Sequence, residues 1–186
     1  LVVDLVSAVF VDKIGYRASM TIAHLFSAIG LILLAVLPGR IDAFTGLLIS
    51  VMLYAIGGGL MEVLVSPIVE ACPTDNKETA MSLLHSFYCW GQVGVVLLST
   101  IFFAVFGISN WRILALIWAV LPIANMIAFL RVPIPSLQAD GEKGLGWKEL
   151  LSNGLFWGLM LMMFSAGASE QAVSQWASAL AESGMG

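Results

Sequence analysis

Apolar runs broken by short polar turns dominate the chain. Six runs follow one another, at 1–11, about 18–37, about 44–70, about 79–106, about 111–130 and about 153–178. A helix needs about 20 apolar residues to cross the hydrocarbon of a bilayer, and the last five runs reach that length. Gly and Pro punctuate their ends, at Pro38-Gly39, Cys72-Pro73, Gly107, and Pro133 with Pro135. The pattern predicts an all-α, polytopic membrane helix bundle of about six transmembrane segments, the first of them only half a span long.

Composition agrees. Hydrophobic residues are 60% of the chain and charged residues 11%, against about a quarter charged in a soluble domain. This excludes an ordinary soluble domain and makes the lipid bilayer the first expected partner. The net charge of −4 says little, because charge on such a chain counts loop by loop. Cys72 and Cys89 fall in or beside helical runs, so free thiols are expected rather than a disulfide framework. Leu1 opens inside an apolar run, with no charged leader or cleavage site, so no signal peptide is expected. Ser183–Gly186 reads as the start of a loop. These ends lead us to expect a piece of a larger protein.

The loops alternate in charge. Lys13, Arg17, Lys77, Arg131, Lys143 and Lys148 follow the first, third and fifth runs, while Arg40 and Arg112 follow the second and fourth. The positive-inside rule places the first set in the cytoplasm. The longest loop runs from Arg131 to about Ser152. Within it, Trp147–Leu151 predicts a short interfacial helix, and Trp111 and Trp147 read as interfacial anchors.

Polar residues inside the runs carry the candidate chemistry. Glu62 sits deep in the third run, and a carboxyl at membrane depth is costly enough to mark a functional candidate. Gly58, Glu62 and Ser66 lie four apart on one helical face. A carboxyl there can load and release a proton; the alternative is a neutral Glu bonded to a neighbouring helix. In the fourth run Ser82, His85, Cys89, Gln92 and Ser99 form a polar seam bordered by Tyr88. Such a seam lines a bundle interior or a watery cavity. Glu62 and His85 fall at matching depths on consecutive runs, so an antiparallel hairpin can pair them. The sixth run adds Glu170, Gln171, Ser174, Gln175, Trp176 and Ser178. Carboxyl, amides and an aromatic ring suit a polyhydroxylated ligand, although Glu170 also reads as a solvated residue near the outer mouth. Asn125 shares a face with Trp118 and Pro122, where helix packing competes with a cavity role. His24 has no carboxyl or Cys at ligand spacing, and the Met residues at 160–163 read as packing. No His-Glu-x-x-His, P-loop, Gly-x-Ser-x-Gly or metal-ligand cluster is present. An enzyme, a cofactor, a metal and a nucleic-acid partner are therefore not expected.

Two stretches carry a family resemblance. The string from Ala8 to Arg17 resembles the loop signature between helices two and three of the major facilitator superfamily. Asp12, Lys13, Gly15 and Arg17 match it, whereas Ala8 and Tyr16 depart from it. If the first run is helix two, the long loop falls where the two six-helix halves of that family are joined. The resemblance then implies helices two to seven of the fold: 1–131 in the N-terminal half, 132–152 as a cytoplasmic linker, and 153–186 as the first helix of the second half. The Gly59–Pro67 and Leu83–Gly91 stretches resemble helices four and five of the fucose permease group, which are proton symporters for fucose, galactose or glucose. Ser66 replaces an Asn and His85 a Gln of that group. Gly167–Trp176 resembles its helix seven. The resemblance implies secondary transport of a small polar solute such as a sugar, coupled to protons, by rocking of two halves. It gives Glu62 the proton-coupling role and His85 a place in the solute site. Ser66, Tyr88, Gln92, Asn125, Glu170, Gln171, Gln175 and Trp176 are the further solute-site candidates. Asp12, Lys13, Gly15 and Arg17 form the expected gating loop. The implied location is a bacterial inner membrane, crossed several times. An uncoupled facilitator or antiporter, or a non-transport membrane bundle, are the alternatives.

Overall fold

The computed structural model describes residues 11, 14–134 and 147–185. The expected first run, at 1–11, lies outside these apart from Val11, as does most of the linker. The described residues hold helices and no strand. In chain order they are α1 (Tyr16–Val36), α2 (Ala43–Ala71), α3 (Lys77–Phe106), α4 (Trp111–Arg131), α5 (Trp147–Ser152) and α6 (Gly154–Met185), with single 3-10 turns at Leu37–Gly39 and Ile108–Asn110. The chain divides into two units, residues 1–137 and 138–186.

Four stretches are long and apolar enough to cross a bilayer: Tyr16–Gly39, Ala43–Ala71, Lys77–Phe106 and Ile108–Arg131. Together with its all-helical build, this makes the chain a multi-pass integral membrane protein. The 32 residues of α6 also have the length to span. Its first turns, through Phe164, are apolar, and its later turns carry Ser169, Glu170, Gln171, Ser174 and Gln175, which lowers its hydropathy below that of the four. The loop expected at Ser183 is instead the last turn of α6, which continues to Met185.

Local chemistry sets the helix ends. Gly15 precedes α1 with φ 85°, a conformation that disfavours a β-carbon. Asp42 caps α2, its carboxylate accepting from the Thr45 amide at 3.0 Å and from the Thr45 hydroxyl at 3.0 Å. Gly107 closes α3 with φ 81°. Pro67 and Pro122 sit inside continuous helices, as membrane spans tolerate.

The first unit is built around α1, which packs on α2 and on α4. Its interior is small and polar: Ser19, Ala23, His24, Ser27, Ala28 and Gly30 are buried on α1, and Gly46, Ser50 and Gly57 on α2. The outer faces carry bulky side chains, among them Phe44, Met52, Trp90, Val105 and Ile108. That arrangement suits a lipid solvent, where helices gain by close backbone approach rather than by hiding apolar surface. Buried hydroxyls bond back along their own helix, Ser19 to the Gly15 carbonyl at 3.0 Å and Ser50 to the Gly46 carbonyl at 2.7 Å. A smaller apolar cluster joins Val11, Met20 and Leu64.

α3 stands apart. It touches α2 and α4 sparsely, and none of its residues is buried. A polar bond ties it to α4, from the Trp118 indole N–H to the Ser99 hydroxyl at 3.2 Å.

In the second unit, a short helix, α5, forms where one was expected at Trp147–Leu151. Its corner with α6 is held by two bonds. Asn153 accepts from the Leu155 amide at 2.9 Å, and the Trp157 indole donates to the Leu151 carbonyl at 2.9 Å.

Candidate functional site

Two neighbouring glycines in α2 divide the labour near Glu62. A β-carbon on Gly57 would fall 2.5 Å from the Ala23 carbonyl oxygen and 2.6 Å from the Ser27 amide. Gly57 therefore lets α1 and α2 touch. A β-carbon on Gly58 would meet nothing within 4 Å. At 100° per residue, Gly58, Glu62 and Ser66 lie on the side of α2 roughly opposite the buried Gly46–Ser50–Gly57–Leu64 stripe. Glu62 is accordingly exposed and Ser66 half-buried.

On α3, His85, Tyr88, Cys89 and Gln92 are all exposed. The Gln92 side-chain amide donates to the Tyr88 hydroxyl at 3.3 Å, one turn apart, so the seam and its border act as one polar surface. Ser99 leaves the seam, because its hydroxyl serves Trp118 of α4. No hydrogen bond or ion pair among the described residues joins Glu62 to His85. The hairpin pairing expected from their depths does not form, since α2 and α3 meet only sparsely. Asn125 is exposed, while Pro122 on the same helix is buried and Trp118 half-buried. Asn125 thus lies outside the helix packing that competed for it.

Glu170, Gln171, Gln175 and Trp176 are exposed on α6 of the second unit. Nearby serines are tied to the helix itself, with Ser165 bonding the Leu161 carbonyl at 2.9 Å and Ser169 the Ser165 carbonyl at 2.8 Å. Among the described residues, no three His, Cys, Asp or Glu side chains gather for a metal ion.

Of the expected gating loop, Asp12 and Lys13 lie outside the described residues. Gly15 provides the turn into α1. Arg17 donates through Nη2 to the Val132 carbonyl at 3.0 Å, across 115 positions of chain.

Two features escaped the sequence reading. The close α1–α2 contact was signalled by small residues at about one-turn spacing, Ala23 and Ser27 facing Gly57, and Gly30 facing the backbone of Tyr54. His24 is 3% exposed. Its Nδ1–H donates to the Met20 carbonyl at 2.8 Å, which assigns the tautomer, and its ring lies 5.3 Å from that of Phe129. It is a packing residue between α1 and α4, a role its spacing to carboxyls or thiols does not reveal.

A family model described as Major Facilitator Superfamily matches residues 1–186. The chain belongs to that superfamily and is a membrane transporter of small solutes. No curated protein and no solved structure matches it significantly.

Proposed function

We propose that this member of the major facilitator superfamily is a proton-coupled symporter for a sugar or a similar small polar solute. It is a carrier and not an enzyme. The observation that carries the reading is Glu62. It is a carboxyl well inside a span of 29 residues, turned away from the helix that α2 packs on. An intramembrane carboxyl directed at lipid is costly, so this side of α2 belongs to the bundle interior or to a watery path. Glu62 is the proton carrier of the proposal. Ser66 lies one turn further on, and Gly58 leaves room beside it.

His85, Tyr88 and Gln92 on α3 supply donors and acceptors for hydroxyl groups. Asn125 on α4 is a further solute-binding residue of the proposal in the first unit, and Glu170, Gln171, Gln175 and Trp176 on α6 are proposed solute-binding residues of the second. Residues 1–131 belong to the N-terminal half of the transporter, 132–152 to the cytoplasmic linker and 153–186 to the first helix of the second half, which numbers the helices two to seven. Asp12, Lys13, Gly15 and Arg17 act as the gating loop on the cytoplasmic side. The two halves rock about the solute site, exposing it alternately to each face. The proposed location is a bacterial inner membrane.

The test is uptake into vesicles containing the full-length protein, with an imposed proton gradient. A panel of L-fucose, D-galactose and D-glucose is offered with and without a protonophore. Accumulation of one of them that the protonophore abolishes supports the reading. Equilibration without accumulation, unaffected by the protonophore, makes the protein an uncoupled facilitator instead.

A further inference from the structure

Between Glu62 and Glu70, α2 reads Val-Leu-Val-Ser-Pro-Ile-Val. Ser66 is the only polar side chain of that stretch, and it lies four residues from each carboxyl. Four residues advance a helix by about 6 Å and turn it about 40° past a full circle. The three side chains therefore follow one side of α2, from inside the span to its last turn. Glu62 and Glu70 are exposed and Ser66 is half-buried.

Two details mark the middle rung. The hydroxyls of Ser50, Ser86 and Thr100 donate to the carbonyl four residues back. The Ser66 hydroxyl has no hydrogen bond among the described residues, which leaves its proton and its lone pairs to other partners. Pro67 follows it inside the helix and has no N–H, so the Val63 carbonyl loses its helical donor. A free hydroxyl and a released carbonyl thus share the turn between two carboxyls.

Stability does not explain Glu70. It lies in the last turn of α2, where the helix dipole works against a carboxylate and no base is present in that turn. Arg17, Lys77 and Arg131 lie at the same end of the helices, with Asp75 and Glu78. None of them pairs with Glu70 among the described residues.

We propose that Glu62, Ser66 and Glu70 form a proton relay from the coupling carboxyl to the end of α2, with Glu70 as its outlet. The relay deepens the symport reading and rests on it. Glu62, as the neutral acid, gives its proton through one bridging water to the Ser66 hydroxyl oxygen. Ser66 passes its own hydroxyl proton through a second water to the Glu70 carboxylate. Glu62 is then a carboxylate, Ser66 a neutral hydroxyl again and Glu70 a neutral acid, which releases the proton to bulk water. The Val63 carbonyl accepts a hydrogen bond from the bridging water and holds it in line.

The test uses the full-length protein in vesicles loaded with a pH-sensitive dye and offered L-fucose, D-galactose or D-glucose. Glu70→Gln is expected to lose most of the sugar-driven proton entry while keeping counterflow exchange, which needs no net proton release. Glu70→Asp, which can still titrate, is expected to recover a large part of it. Ser66→Ala is expected to slow proton entry and Ser66→Thr, which keeps the hydroxyl, to restore it. Glu78→Gln removes a carboxyl at the same end but on α3, and is expected to match the parent. Parent-level proton entry in Glu70→Gln or Ser66→Ala overturns the relay and leaves the symport reading standing. So does an equal loss of counterflow, or a loss that Glu70→Asp does not relieve. A parent in which no sugar drives proton entry overturns the symport reading, and the relay with it.

Discussion

Gly57 of α2 lies against Ser27 of α1 so tightly that no β-carbon fits between them. The Ser27 hydroxyl is buried there without a hydrogen-bond partner. A second contact of the same kind follows one turn along, where a β-carbon on Gly30 would stand 2.5 Å from the Tyr54 amide nitrogen. The two helices cross where their side chains vanish, and that crossing holds the helix that carries Glu62.

Neighbouring glycines therefore respond differently to one methyl group. Gly57→Ala forces α1 and α2 apart and is expected to cost about 1–3 kcal/mol. Gly58→Ala meets open space and is expected to be neutral, or stabilising by up to about 1 kcal/mol through helix propensity. Thermal unfolding in a fixed detergent distinguishes them. Equal midpoints for the two variants would mean that the α1–α2 contact is looser than described.

The Trp118–Ser99 bond predicts a modest effect. Trp118→Phe keeps most of the ring but loses the N–H, and is expected to cost about 0.6 kcal/mol, the average for such bonds in a membrane. Ser99→Ala should cost a similar amount, and the double variant no more than either alone. Fully additive losses would show that the two side chains do not meet.

Asp42 gives a pH dependence. Hydrogen bonds from the Thr45 amide, and then from the Thr45 hydroxyl, hold its carboxyl below its ordinary value of 3.8. The folded state favours the carboxylate, so the cap's contribution is complete above pH 3.8 and fades as pH falls through the lower folded value. Exchange of the Thr45 amide, corrected for its intrinsic pH dependence, should lose protection below that point. Asp42→Ala should show reduced protection at every pH. Asp42→Asn, which keeps an acceptor, should retain most of it without the pH step.

Topology follows from paired ends. Arg17 meets Val132 at one end of the helices, and Lys77 opens α3 at that same end. At the other end, the Arg112 guanidinium lies beside the turn, where a β-carbon on Gly39 would fall 2.9 Å from Nη2. By the positive-inside rule, the richer set of bases is expected to put the first end in the cytoplasm. Cysteines placed at 77 and 143 should resist an impermeant reagent added to intact cells, while one at 40 should react. Labelling at 143 but not at 40 would invert the arrangement.

The spans were legible because the bilayer imposes a length and a polarity on them. Ala43–Ala71 and Lys77–Phe106 fall within two residues of the ends that Pro, Gly and charge predict. Their partners were less legible. Apolar residues point outward to lipid, so hydrophobic periodicity does not report which face packs, and the packing signal resides in serines and glycines such as Ser27 and Gly57. Glu62 stood out because charge is rare at that depth. Its relation to His85 did not follow from depth, because equal depth on two helices does not bring their faces together. Arg17 was visible as part of a motif, but its acceptor is a main-chain carbonyl, which no side-chain pattern announces.

Glu62→Gln tests the central claim most directly. Glutamine keeps the size and hydrogen bonding of the side chain but cannot carry a proton. The full-length variant is assayed for proton-driven accumulation and, separately, for counterflow exchange of the same solute. His85→Ala, assayed alongside, should weaken solute binding more than coupling. Glu62→Gln is expected to lose uphill accumulation while still exchanging solute. Normal accumulation by Glu62→Gln across the pH range would remove Glu62 from the mechanism, and leave it a packing carboxyl in a carrier driven by something else.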